Sequence, residues 1–487
     1  MVSIPTYLEK HLNKLPILIT SVFGLFCLIH FAVAGPHWLL QNGDVNYTYL
    51  LSGLDYWSFL PSGINDQPAL TVKLWNAIVI GVLYLLRMPF IDLAMEQDVI
   101  INSELYLNTI TLSVYAILTF TLYRFLRASY NLIQNKLLWL VAICSFFFSS
   151  VIFLNLWVNK PEPYLVIAGL WISILLLKFV YGERVSSSQI VSAILFAVFS
   201  KILIVPFILP VLLAIPRKQL IQKILPFGLS GLVIIGLVWR NELMPFVEWI
   251  ASAGSHTGAY GSGSVGFYDQ KIWSKLAKTL WINKILIPFL VFGIAYSVTN
   301  KTNRKIILGF LVSYLVFFLF ILKMPTSGYF IVCYVFAPVF ILLAFQGIDL
   351  NRFKYMIPAA VCLFMLARFG LYTRDIIHKA SVANLYTIPS GIQTYYSSTK
   401  EYALFLANKT QYDRHSDLLH GLYPNAQFYW FDNQFYNFKE EIPHETYRGM
   451  KLNIKGTSNY VESDTKIKIL SRHIDGINYH YEVTITP

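Results

Sequence analysis

Long apolar runs separated by short basic segments set the pattern of this chain. A bilayer crossing needs about 20 mostly apolar residues, and such runs occupy residues 15–34, 105–125, 137–157, 164–180, 225–239, 285–298, 306–322, 329–345 and 355–371. The stretch 190–215 is apolar as well but carries Lys201 and Pro206, so by itself it reads as one span or as two short ones. Lys and Arg concentrate in cytoplasmic loops, and this decides between the two. Two crossings keep Arg217/Lys218/Lys223, Lys301/Arg304/Lys305 and Arg352/Lys354 on the side of Lys10/Lys14, Arg124/Arg127/Lys136 and Lys178/Arg184. The pattern predicts eleven transmembrane helices, a cytoplasmic N-terminus and everything beyond about residue 374 on the opposite side. Ala32-Val33-Ala34 looks like a processing site, but the apolar run before it is too long for a signal peptide, so the first span is expected to stay as an anchor.

Residues 70–87 break this rhythm. Lys73 interrupts them, and Asp92, Glu96, Asp98 and Glu104 follow, which predicts a helix lying at the interface rather than crossing it. Residues 374–487 change character altogether. Polar and apolar positions alternate on either side of Asp475-Gly476, a hairpin signal, and residues 399–407 read as a short helix. The predicted architecture is therefore an α-helical polytopic membrane protein over 1–373 with a small α+β periplasmic domain over 374–487. The membrane part presents outer segments at 35–70, 159–163, 240–284 and 323–328.

Composition supports the class and removes others. Of 487 residues 56% are hydrophobic and only 13% charged, which excludes an ordinary soluble enzyme. The net charge of +12 does not point to nucleic acid, because the 12 basic and 12 acidic residues from Arg374 onward cancel and the excess sits in the loops of the apolar part. The four cysteines, Cys27, Cys144, Cys333 and Cys362, all lie in apolar runs and read as small core hydrophobes.

The chain lacks GxxxxGK[ST], a helix-opening GxGxxG and HExxH, the usual signatures of nucleotide hydrolysis, dinucleotide binding and zinc proteolysis. Candidate chemistry gathers on the outer side. Asp44, about ten residues beyond the first span, could act as a general base near the membrane plane, or serve as a helix cap or loop acid. Asp66, in Asn65-Asp66-Gln67-Pro68, reads as a second functional acid or a turn residue before proline. Lys160 and Glu162, in Asn159-Lys160-Pro161-Glu162-Pro163, form either an interfacial turn or a charged site. Arg240 ends a span, where it either snorkels or binds phosphate. His256 and Tyr260 lie in the glycine-rich stretch 255–263, which has the flexible backbone of a loop that closes over a ligand. Lys323 precedes a late span. The aromatic run 428–438 suits either the core of a small domain or stacking on sugar rings.

Taken in order, an acid soon after the first span, a second acid just before a proline, an interfacial helix, the basic-Pro-acidic element at Lys160-Pro161-Glu162, the glycine-rich outer loop and a basic residue near a late span resemble the GT-C superfamily of glycosyltransferases. Gln67 stands where the family often carries His or Lys between the acid and the proline. Size and the trailing outer domain make the chain most similar to the phage-type, serotype-converting O-antigen glucosyltransferases. The resemblance implies a bacterial inner-membrane inverting hexosyltransferase that uses undecaprenyl-phosphate-hexose and a lipopolysaccharide O-antigen acceptor, with a flippase and a donor synthase as partners. It implies Asp44 as general base with Asp66 beside it, Arg240, Lys160 and Lys323 on the leaving phosphate, and Glu162, His256 and Tyr260 as positioning groups. No cofactor or metal is expected, since cations are already available for the phosphate. An O-antigen polymerase or ligase, or a flippase for lipid-linked sugars, shares the location and remains an alternative.

Overall fold

The computed structural model describes residues 13–37, 43–62, 69–149, 151–156, 158–258, 263–266, 268–299, 303–385, 393–394, 400, 404, 407–408, 413–423, 451–456, 467–475 and 478–485. Helices dominate, in the order α1 (Leu15–Val33), α2 (Gly43–Trp57), α3 (Leu70–Arg87), α4 (Met95–Ile101), α5 (Ser103–Leu132), α6 (Lys136–Phe146), α7 (Val151–Leu156), α8 (Pro161–Val180) and α9 (Ser187–Ser200). A 3-10 segment, Ile202–Ile208, leads into α10 (Leu209–Ala214), α11 (Leu225–Val238), α12 (Arg240–Ser255), α13 (Ile272–Ile282), α14 (Leu286–Thr299), α15 (Arg304–Ile321), α16 (Ile331–Ala344) and α17 (Met356–Leu385).

Seven helices among the described residues are long and apolar enough to cross a membrane, and α13 with α14, bent by 83° at their junction, makes up to eight. The protein is an α-helical polytopic membrane protein. Four of the eleven expected spans correspond to shorter apolar helices, Lys136–Phe146, Ser187–Ser200, Ile202–Ala214 and Gly328–Ala344. At the centre, α8 from Pro161 to Ala168 and α16 along its whole length are buried on every side. This is how a helix that is apolar all round is accommodated. At the rim, α11 exposes Leu225, Phe227, Leu229, Leu232, Val233, Ile234 and Leu237, a surface that only lipid covers favourably.

The stretch 190–215 reverses direction at Lys201. α9 runs back along α8, so that Lys201 meets Glu162 near the start of α8. Lys201 is extended, with φ −165° and ψ 132°. Beyond it the Ser313 hydroxyl donates to the Pro206 carbonyl, and Gly309 is small enough for Pro210 and Leu213 to press against it. Residues 206 to 213 therefore run antiparallel to α15, back toward its Arg304 end. The chain thus doubles back at Lys201 as two short apolar arms. Residues 137–157, expected as one helix, are interrupted after Phe146. Arg368 of α17 donates to the freed carbonyls of Phe147 (3.3 Å) and Phe148 (2.9 Å), which is how a break at membrane depth is tolerated.

Although α3 passes the length and apolarity test, both its ends lie at one end of the bundle. Thr71 bonds Ser200, the last residue of α9, and Arg87 makes a bidentate contact with Asp98, just before α5 begins. A crossing helix would carry Arg87 to the opposite end, beside Arg124 and Arg127. Within 35–70, expected as a loop, residues 43–57 form the helix α2. Tyr47, Leu50, Leu51 and Leu54, spaced i, i+3, i+4 and i+7, bury one face of α2. Gly53 allows α2 to close on α3, since a Cβ there would fall 2.7 Å from Asn76 Cβ, while Asn76 Nδ2 donates to the Tyr49 carbonyl at 2.9 Å.

α17 continues without interruption past residue 374 to Leu385. Beyond it, strands β1 (Gln393–Thr394), β2 (Lys451–Gly456), β3 (Ile467–Asp475) and β4 (Asn478–Ile485) form a sheet of order β1-β2-β4-β3, in which Asp475 pairs with Asn478 and Ile467 with Ile485. The short helix α18 (Ser416–Leu422) follows Arg414 and His415. Of the expected helix 399–407, residues 400, 404 and 407 are described and helical, while the aromatic run 428–438 lies outside the described residues.

Candidate functional site

Three polar clusters lie where the outer segments meet. The first is built on the break before α8. Asn159 donates its backbone N–H to Asn46 Oδ1 at 2.6 Å, tying α2 to the Lys160-Pro161-Glu162 element. Asp44 lies two residues before Asn46, within the first turn of α2, and its side chain is outside the described residues. Lys160 Nζ donates to Asn155 Oδ1 at 2.6 Å. Glu162, 4% exposed, accepts from Lys201 Nζ at 2.6 Å, and that ammonium also sits 4.4 Å from the Tyr329 ring centroid. Asn46 Nδ2, Asn159 Oδ1 and Glu162 Oε2 are buried with no hydrogen-bond partner among the described residues. Orphaned polar atoms are uncommon in protein interiors, and three in one small region mark it as a place for polar chemistry.

The second cluster surrounds Glu242 in the first turn of α12. Its carboxylate accepts from Lys73 Nζ (2.6 Å), Trp239 Nε1 (2.5 Å), the Ser62 N–H (2.8 Å) and the Tyr56 hydroxyl (3.2 Å). Lys73 is fully buried. Ser62 and Lys73 flank residues 63–68, so one carboxylate anchors both shoulders of the segment containing Asp66, which itself lies outside the described residues. Arg240, two residues from Glu242, is exposed.

The third cluster joins the segment before α18 to α2. His415 Nε2 lies 3.1 Å from Asp55 Oδ1, its Nδ1 lies 2.5 Å from Glu96 Oε1, and Arg414 Nη1 lies 3.3 Å from Asp55 Oδ2. A carboxylate facing each ring nitrogen favours the imidazolium form, in which both nitrogens donate. Burial opposes that charge, but the bonds to Asp55 and Glu96 outweigh it and raise His415 above its ordinary value.

Lys323 belongs to a different neighbourhood. Its ammonium donates to the Ala253 carbonyl and its own carbonyl accepts from Lys275 Nζ at 2.7 Å. Partial burial and then the Lys275 charge hold Lys323 below the ordinary lysine value. His256 follows three residues after Ala253, with Nδ1 3.1 Å from the Ser252 carbonyl, and it forms an antiparallel bridge with Val265. Lys323 and His256 are thus brought near one another, whereas Arg240 stands at the far end of α12, roughly 20 Å away by helical rise. Arg240 and Lys323, expected on one phosphate, do not share one in this arrangement. Tyr260 lies outside the described residues.

Among the described residues no three His, Cys, Asp or Glu side chains form a metal-binding group. Nothing in the sequence singles out Glu242, Asp55 or His415, whereas Lys73 and Glu96 stand out there only as charges without assigned partners. A lysine inside an apolar helix is a signal that a carboxylate must lie opposite it, but the sequence does not say which. No family model, curated protein or solved structure matches the chain.

Proposed function

We propose that the protein is an inverting, GT-C-type glycosyltransferase working on the outer, periplasmic face of a bacterial inner membrane. It moves a hexose from undecaprenyl-phosphate to a lipopolysaccharide O-antigen acceptor. The observation that carries this reading is the 2.6 Å bond from the Asn159 N–H to Asn46 Oδ1. It joins the helix bearing Asp44 to the Lys160-Pro161-Glu162 element, and so brings a candidate base toward candidate phosphate-binding cations.

In this mechanism the Asp44 carboxylate takes the proton of the acceptor hydroxyl as its oxygen attacks the anomeric carbon. The bond to the phosphate oxygen breaks on the opposite face, so the configuration inverts in a single displacement. The departing polyprenyl phosphate carries the developing charge, which Lys160 and Lys201 are placed to offset. Glu162 holds Lys201 in position. The Glu242 cluster fixes the shoulders of the Asp66 segment, and Lys323 with His256 lines a separate region suited to the acceptor. Residues 374–487 would form an outer α+β domain.

The test is Asp44→Asn, assayed with undecaprenyl-phosphate-hexose and O-antigen acceptor, with membrane abundance measured alongside. Loss of transfer by about 10²-fold or more at normal abundance is the expected result for removal of a general base. Full transfer by the variant would overturn the assignment and, with it, the family reading.

A further inference from the structure

A cavity opens at the end of the bundle opposite the outer clusters. It measures about 180 Å3 and is lined by Arg124, Arg127, Ala128 and Asn131 of α5, Ile174 and Lys178 of α8, and Glu183. Lys178 stands sixteen residues beyond Glu162 on the same helix, roughly 24 Å away by helical rise, so this cavity is distinct from the outer clusters. Its volume is well above the ~10–15 Å3 that one water requires.

The lining carries three cations and one carboxylate. Glu183 is engaged by Lys178, with Nζ 3.1 Å from Oε2. Arg124 and Arg127 pair with no carboxylate among the described residues, and Arg124 rests 5.8 Å from the centroid of the Phe120 ring. Two guanidinium groups three residues apart on a helix repel one another, and the cavity beside them invites an anion to relieve that repulsion. Asn131, one turn further on, adds an amide to the same face. Ala128 and Ile174 supply an apolar floor. The cavity also lies where the apolar stretches of α5 and α8 end, the depth at which lipid phosphates sit.

We propose that Arg124, Arg127 and Lys178 form a binding site for the phosphate of an anionic phospholipid. Guanidinium groups bind a phosphate through paired N–H donors, and basic pockets between membrane helices take acidic head groups. Snorkelling alone would account for the charges, but not for their convergence on one cavity with an amide donor.

The test uses the purified full chain in neutral detergent, titrated with phosphatidylglycerol, with phosphatidylcholine and with inorganic phosphate, and read by native mass spectrometry. The expected result is preferential retention of phosphatidylglycerol, unaffected by millimolar inorganic phosphate. Retention should fall by about tenfold or more in the Arg124→Gln/Arg127→Gln double variant, given the usual contribution of a basic residue at a lipid surface. Both arginines are exposed, so the variant keeps its fold, which an unchanged Tm verifies. Glu183→Gln, which removes the one carboxylate in the lining, should tighten retention. Equal retention of the two lipids, or unchanged retention in the double variant, would overturn the site. Displacement by inorganic phosphate would overturn the lipid assignment in favour of a soluble phosphate.

Discussion

Glu162 and Lys201 form a buried ion pair, Oε1 to Nζ 2.6 Å, at the point where the chain turns back between two short membrane arms. The pair fixes the reversal because neither charge can leave its partner without being stranded in a poorly solvated interior. Lys201→Met is expected to destabilise the protein by about 3–5 kcal/mol, with Glu162 left uncompensated. Adding Glu162→Gln should recover most of that loss without restoring transfer. Thermal unfolding and transferase assays on the two singles and the double check this. A double variant no more stable than Lys201→Met would show that the pair does not hold the turn.

Asn46 makes a comparable connection between outer elements. Asn46→Ala leaves the Asn159 N–H unpaired in a buried setting, a cost of about 1–3 kcal/mol. Because Asp44 lies only two residues away, a shift of about 1 Å at this point is expected to lower kcat by about 10²-fold. Asn46→Asp keeps an acceptor oxygen and should retain more activity than Asn46→Ala, which steady-state kinetics on the two variants compares.

Lys73 and Glu242 offer a test of assembly rather than of chemistry. Both are buried, and Glu242 gathers donors from Tyr56 of α2, the Ser62 N–H, Lys73 of α3 and Trp239 just before α12. Lys73→Met should cost about 3–5 kcal/mol and loosen the segment holding Asp66. Hydrogen exchange should then rise at Ser62 and through the first turn of α3, with residues near α18 unaffected.

His415 predicts a dependence on pH. Its pKa is raised by bonds to Asp55 and Glu96, with Arg414 the other charge at this contact. A raised folded-state value stabilises the contact fully below the ordinary value of 6.5, and this stabilisation fades as pH rises through the folded value. Exchange protection of residues 413–422 should therefore be greatest in mild acid and decline toward alkaline pH. In His415→Gln the slope should disappear. A wild-type profile that is flat with pH would mean that the imidazolium does not hold the segment.

The sequence by itself determined the class of this protein and most of its helices, since whether a run of residues enters lipid depends on its own apolarity and length. The interruption of 190–215 by Lys201 and Pro206 was also visible in the sequence, and the chain does reverse there. Tyr47, Leu50, Leu51 and Leu54 carry a helical spacing within the outer segment, which the structure realises as α2. The tertiary structure alone decided the partnerships. Lys73 meets Glu242 across 169 residues, and His415 meets Asp55 across 360. A buried charge requires an opposite charge, and this requirement is local. Which carboxylate supplies it depends on how helices distant in sequence pack, and no single stretch of the chain encodes that.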